Sequence, residues 1–235
     1  MTNTTKTVSN ERNAHVWHFV ATLERLAAII DGEEPNEKNK RKPNRAALAQ
    51  LRRTLGKDPN QAFEAFPYIS EPTCGFTNEW DERCYYLVAS LFALYQQGGI
   101  KRSWHHEPNP KKQKRDLGAS FQLLELAMQR KNREATPNLE RSKSLEKRFT
   151  ALLGSRSDDL PDRLRHAVLL LKSYDTPIDW VQLLDDLLFW QLGERTVRLS
   201  GKSISTQRRW ARSFWCVHEA EENAEPEPTE DDSGN

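Results

Sequence analysis

The sequence predicts an all-α protein, on three observations. Apolar residues recur at three- and four-residue spacing through most of the chain, helix caps and stops punctuate them, and no stretch alternates well enough to be a strand. With 235 residues the chain can bury a sizeable core. The expected architecture is two packed helical bundles holding about eight or nine helices.

The elements follow in order. Residues 1–9 read as a disordered N-terminus. Val16, Phe19, Val20, Leu23, Leu26, Ala27 and Ile30 mark one face of a first helix of about five turns, and Asp31-Gly32 stops it. After the basic loop EEPNEKNKRKP, Asn44 caps a second helix through Leu48, Leu51 and Leu55 that Gly56 ends. Asn60 to Phe66 reads as a short helix broken at Pro67. Trp80, Cys84, Leu87, Val88, Leu91 and Tyr95 mark a long amphipathic helix closed by Gly98-Gly99. Ile100 to Arg115 shows neither period and contains two prolines. It is therefore the expected seam between an N-terminal bundle over 10–113 and a C-terminal bundle over 114–218.

Beyond the seam, Asp116 can cap a helix carrying Phe121, Leu124 and Met128, and Thr136-Pro137 is a capped start for one using Leu145, Phe149 and Leu152. Asp158 or Asp159 precedes a helix with Leu160, Leu164, Val168 and Leu171, and Pro161 sits in its permissive first turn. Thr176-Pro177 opens a helix through Val181, Leu184, Leu188 and Phe189. The last helix runs from about Ser205 to Val217.

The formal net charge of +1 conceals a separation of signs. Residues 219–235 hold eight acids and neither Lys nor Arg, so the remaining 26 acids face 35 bases and residues 1–218 carry +9. The acidic tail predicts disorder, and the rest favours polyanionic partners. No apolar run reaches membrane-spanning length, and the first residues lack the layout of an export signal, so the expected setting is the cytoplasm, without a membrane partner. Three scattered cysteines, Cys74, Cys84 and Cys216, suit a reducing compartment.

Basic residues cluster. From Lys38 to Lys57 stand eight cations, among them Arg45, Arg52, Arg53 and Lys57, and the next acid is Asp58. On the helix from Asn44 the arginines fall opposite or beside the leucine stripe, which turns them outward. Lys101, Arg102, Trp104, His105, His106, Lys111, Lys112, Lys114 and Arg115 crowd the loop, where cations beside an aromatic suit single-stranded nucleic acid. Further clusters are Lys147 with Arg148, Arg163 with Arg165, and Arg208, Arg209 and Arg212 around Trp210 and Trp215. The bland alternative for each is a solvated helix face or a flexible loop, and Trp210 and Trp215 read as packing residues.

No catalytic pattern emerges. GxxxxGK, GxSxG and HExxH are missing, and Cys74, Cys84, His105 and His106 fit no zinc-knuckle spacing. Of Asp185-Asp186, one is expected to face water and the other to pair with an arginine. His15 and His18 read as surface or half-buried side chains.

Six segments carry a family resemblance: RAALAQLRRTLG (45–56), YYLVASLFALY (85–95), DLGASFQLL (116–124), LEKRFTALLGSRSDDLPDRLRHAVLLLKS (145–173), IDWVQLLDDLLFW (178–190) and RRWARSFW (208–215). In this order they resemble CasB, the small subunit of the type I-E CRISPR Cascade complex. The resemblance implies an all-helical, two-bundle, cofactor-free and non-catalytic subunit. Its implied partners are a second copy of itself, the backbone and large subunits, the guide RNA and the target DNA. The implied task is to help hold the displaced strand and brace the guide–target duplex, favouring the R-loop. Matching basic positions are Arg45, Arg52, Arg53, Lys147, Arg148, Arg165, Arg208 and Arg212, to which the loop adds Lys101 and Arg102 as candidates. Alternatives from other classes are a stand-alone helical DNA-binding regulator with a helix in the major groove, a structural adaptor whose arginines meet acidic partners, and a helical metalloenzyme.

Overall fold

Nine α-helices form among the described residues of the computed structural model, which are 3–29, 42–74, 78–99, 115–133, 143–190, 197–199 and 202–216. They are α1 (Asn3–Leu26), α2 (Arg45–Arg53), α3 (Phe66–Thr73), α4 (Glu79–Tyr95), α5 (Leu117–Arg133), α6 (Lys143–Leu153), α7 (Leu160–Ser173), α8 (Trp180–Leu188) and α9 (Thr206–Trp215). The fold is all-α. Helix starts follow the cap chemistry of the sequence: Asn44 accepts from the Ala47 N–H at 3.0 Å, Asp116 from Ala119 at 3.1 Å and Ser205 from Arg208 at 3.2 Å. Asn44→Ala leaves that donor without its partner and is expected to cost about 1 kcal/mol in a urea unfolding curve, with Asn44→Asp close to neutral.

Several expectations are corrected. α1 begins at Asn3, inside the stretch read as disordered, and ends at Leu26, ahead of Asp31-Gly32. Its stop is a left-handed Ala28 (φ 59°): the Ile29 N–H reaches Glu24 O at 2.9 Å and the Ala28 N–H reaches Arg25 O at 3.1 Å. That is the helix-ending geometry in which glycine is usual, so an alanine there gives no signal. Pro67 does not break a helix. It lies in the first turn of α3, where a missing N–H costs nothing, and two short 3-10 turns, Pro59–Gln61 and Phe63–Ala65, precede it. α8 opens at Trp180 under an Asp179 cap that accepts from Gln182 N–H at 2.9 Å, three residues past Thr176-Pro177. A small antiparallel hairpin, β1 (Val197–Leu199) with β2 (Lys202–Ile204), pairs Val197 with Ile204 and Leu199 with Lys202. Strands of three residues are too short to show an alternation. The Thr136-Pro137 start, the Val217 end and the tail lie outside the described residues.

α4 runs through the middle, packed on α2, α3, α7 and α8, while α5 packs on α9 and α6 on α7 and α9. Buried residues from both sides of the expected seam form one continuous cluster. Phe92 and Tyr95 of α4 meet the Trp180 ring edge-on at 5.4 and 5.7 Å. Phe121, Phe149 and Phe214 join α5, α6 and α9, with ring centroids 4.6 to 6.4 Å apart. Polar ties reinforce the same junction. Tyr95 OH donates to Thr176 O at 2.9 Å, Trp80 Nε1 to Leu187 O at 3.0 Å, and Lys172 Nζ to Leu94 O at 2.9 Å at the end of α4.

The tightest approach is between α5 and α9. A β-carbon built on Gly118 would stand 2.0 Å from the carbonyl oxygen of Trp210, a backbone atom, so the two helices touch at the width of a glycine.

Candidate nucleic-acid interface

The apolar faces fixed in the core decide where the cations point. On α2, Ala47, Leu48 and Leu51 are buried, which leaves Arg45 and Arg53 exposed and Arg52 half-buried along the helix flank. On α6, Leu145, Phe149 and Leu152 face in, and Lys147 and Arg148 are exposed. On α7, Leu160, Leu164, Val168 and Leu171 face in, and Arg163 and Arg165 are exposed. On α9, Trp210 and Phe214 are buried, and Arg208 and Arg212 are exposed.

Among the described residues, Arg45, Arg52, Arg53, Lys147, Arg148, Arg165, Arg208 and Arg212 make no ion pair with a carboxylate. Cations without a protein counter-charge remain available to phosphates. Acids share the surface on α7, where Asp158, Asp159 and Asp162 are exposed beside the helix start. The α2 stretch has no acid between Arg45 and Lys57.

These residues fall into two groups. α6, α7 and α9 are packed neighbours, so their cations lie on adjoining helices, whereas α2 packs on α1 and α4 and on the turn that follows it. Lys101 and Arg102, with the rest of their loop, lie outside the described residues.

Arg209 is a correction to the α9 cluster. Its guanidinium turns inward, Nη2 donating to Asp186 Oδ1 and Nε standing 3.6 Å from Asp116 Oδ2. Asp186 is 1% exposed and also accepts from Trp210 Nε1 at 2.5 Å and Gln182 Nε2 at 2.6 Å. Asp116, besides capping α5, accepts from Ser213 Oγ at 2.8 Å. Burial pushes the Asp186 carboxyl up to about 7, with Asp185 and Asp116 adding to the rise and Arg209 and Trp210 opposing it. Burial also raises Asp116, against its bonds to Ser213 and the α5 backbone and the nearby Arg209. One cation thus serves two buried carboxyls, and the network bolts α9 to α5 and α8. Asp186 is the arginine-paired member of Asp185-Asp186, as expected.

Trp210 is fully buried, and Trp215 is half-buried against Phe149 and Phe214 at 5.6 and 4.8 Å. Both belong to packing, as their reading predicts. Cys84 is buried in α4, and no group of three His, Cys, Asp or Glu among the described residues could hold a metal ion. His15 is half-buried and hydrogen-bonds Tyr85 OH at 3.0 Å, while His18 is exposed. Sequence reasoning missed Arg156, exposed in the turn between α6 and α7; a lone cation in a turn forms no cluster to notice. It also missed two exposed aromatics, Phe63 and Phe66.

No described helix is long and apolar enough to cross a membrane. The sequence profile described as CRISPR-associated protein Cse2 matches residues 47–215. A curated protein of that description from Thermus thermophilus is 34% identical over 184 residues, covering 77% of this chain and 86% of that protein. The crystal structure of M. ruber CasB aligns with a TM-score of 0.56 at 28% identity, over 86% of this chain and 92% of that one. A chain of a CRISPR RNA-guided surveillance complex has the same fold, with a TM-score of 0.52 at 22% identity over 85% of this chain and 92% of that one. The span of the profile match, from α2 to the end of α9, and the identity across most of both chains lead to one conclusion: the chain belongs to the Cse2 family of CRISPR-associated proteins, also called CasB.

Proposed function

We propose that this chain is the non-catalytic small subunit of a type I-E CRISPR RNA-guided surveillance complex, and that it stabilises the R-loop by holding nucleic-acid backbone. The observation that carries this reading is a set of outward cations that form no ion pair among the described residues, on helices whose opposite faces are locked in one core. Membership of the Cse2 family and a shared fold with a chain of a surveillance complex support it.

The physics is sufficient. Opening a duplex against a guide RNA is nearly balanced in free energy, so modest backbone contacts tip it, and the guide alone chooses sequence. A rigid helix holds its guanidinium groups in place before the strand arrives, which reduces the ordering cost of each contact. The subunit acts beside the backbone and large subunits, with a second copy of itself, in the cytoplasm. The binding candidates are Arg45, Arg52, Arg53, Lys147, Arg148, Arg165, Arg208 and Arg212, together with Lys101 and Arg102.

Charge reversal of Arg45, Arg52 and Arg53 to Glu tests the α2 group. Complex assembly on gel filtration is expected to be unchanged, because these side chains make no ion pair among the described residues, and R-loop affinity at low salt is expected to fall by roughly tenfold or more. Full affinity with lost assembly would make these arginines the contacts of an adaptor instead.

A further inference from the structure

Two phenylalanines stand outside the core beside the α2 cations. Phe63 is 74% exposed and Phe66 is 56% exposed, whereas Ala62, Ala65 and Ile69 of the same segment are fully buried. The Phe66 N–H donates to Phe63 O, closing a 3-10 turn. Side chains three apart in such a turn eclipse one another, so the buried alanines anchor one side and both rings project from the other.

The surroundings of the rings are cationic. α2 packs on this turn, and Tyr68 OH donates to Gln50 Oε1 at 2.7 Å, tying α3 to α2. Glu64, between the two rings in sequence, is answered by Lys57 Nζ at 3.2 Å. Its own backbone N–H, then Lys57 and Arg53, hold the Glu64 carboxyl below its usual range, which places Arg53 beside this turn as well. Asp58, the neighbouring acid, is taken by Arg83 at 2.8 Å. Arg45, Arg52 and Arg53 on the adjoining helix form no ion pair among the described residues.

Exposed rings flanked by unneutralised cations match single-stranded nucleic acid, in which base faces and phosphates alternate along one strand. We propose that Phe63 and Phe66 form a stacking platform for the bases of a single strand whose phosphates run along Arg52 and Arg53. This rests on the backbone-holding function above and adds a contact that phosphate binding does not supply.

The test compares two probes of equal length and charge, a fluorescent oligothymidine and its abasic counterpart, titrated with the full chain. The wild type is expected to bind the oligothymidine roughly ten- to a hundredfold more tightly than the abasic strand, the range that one or two stacked bases give. The double variant Phe63→Ala, Phe66→Ala is expected to bind both strands at the abasic level, with the salt dependence of the wild type. Equal binding of the two strands by the wild type overturns the platform and leaves phosphate holding intact. A double variant that keeps its oligothymidine affinity but fails to join the complex also overturns it, assigning the rings to a protein neighbour. Failure of the wild type to bind either strand removes the backbone-holding function and the platform with it. Because the two-probe comparison is made on the wild type, a folding defect in the variant does not blunt the test.

Discussion

Gly118→Ala is expected to unfold the protein near physiological temperature or to lower its melting temperature by roughly 10 °C or more. The single added methyl would sit 2.0 Å from Trp210 O and under 3 Å from two further backbone atoms of that residue. No rotamer relieves such a clash, because both partners are fixed backbone. α9 must then move away from α5, and that movement pulls Trp210 and Phe214 from the core and strains the Asp116–Arg209–Asp186 network. Thermal unfolding by circular dichroism checks it. A melting temperature within about 2 °C of wild type would mean that the close approach is wrong, since overpacking of this kind costs several kcal/mol.

Arg209→Met has the second largest expected effect, about 3–5 kcal/mol, because it leaves two buried carboxyls without their shared cation. Arg208→Met and Arg212→Met on the same helix are expected to stay within about 0.5 kcal/mol of wild type, since both side chains are exposed. The pH dependence adds a sign. With a folded pKa of about 7 against an ordinary 3.8, Asp186 binds its proton more tightly in the folded state. Its contribution to stability is therefore full below about pH 4 and is lost as pH rises through about 7. Removing Arg209 takes away the main force opposing that rise. The deficit of Arg209→Met is thus smallest near pH 5 and largest above about pH 8, and adding Asp186→Asn is expected to flatten it. Denaturant curves at the two pH values measure the difference, and a deficit that shrinks with rising pH contradicts the network.

The sequence held more of the helices than of their meeting points. Asn44, Asp116 and Ser205 announced their helices because a cap is a local bond between a side chain and a backbone N–H three residues on. Ala28 announced nothing, since the left-handed turn it occupies has no glycine to mark it. The inward turn of Arg209 depends on Asp116 and Asp186, which lie 93 and 23 residues away in sequence, and no helical period contains that information. Gly118 is similar. Its lack of a side chain matters only because α9 returns to lie against it. Among the interface candidates, the outward direction of Arg45 and Arg53 followed from the leucine stripe of their helix, and the same stripe logic holds in the structure for Lys147, Arg148, Arg165, Arg208 and Arg212. Phe63 and Phe66 escaped notice because the three-residue period of this turn sets Ala62 and Ala65, and not the two rings, against the core.

The backbone-holding function depends on cations meeting phosphates without regard to base identity. The salt dependence of single-strand binding by the full chain tests that most directly. If each copy neutralises about four phosphates, the plot of log affinity against log salt has a slope of roughly −3, the same for strands of different sequence. A slope near zero, or one that changes with sequence at constant length, contradicts it.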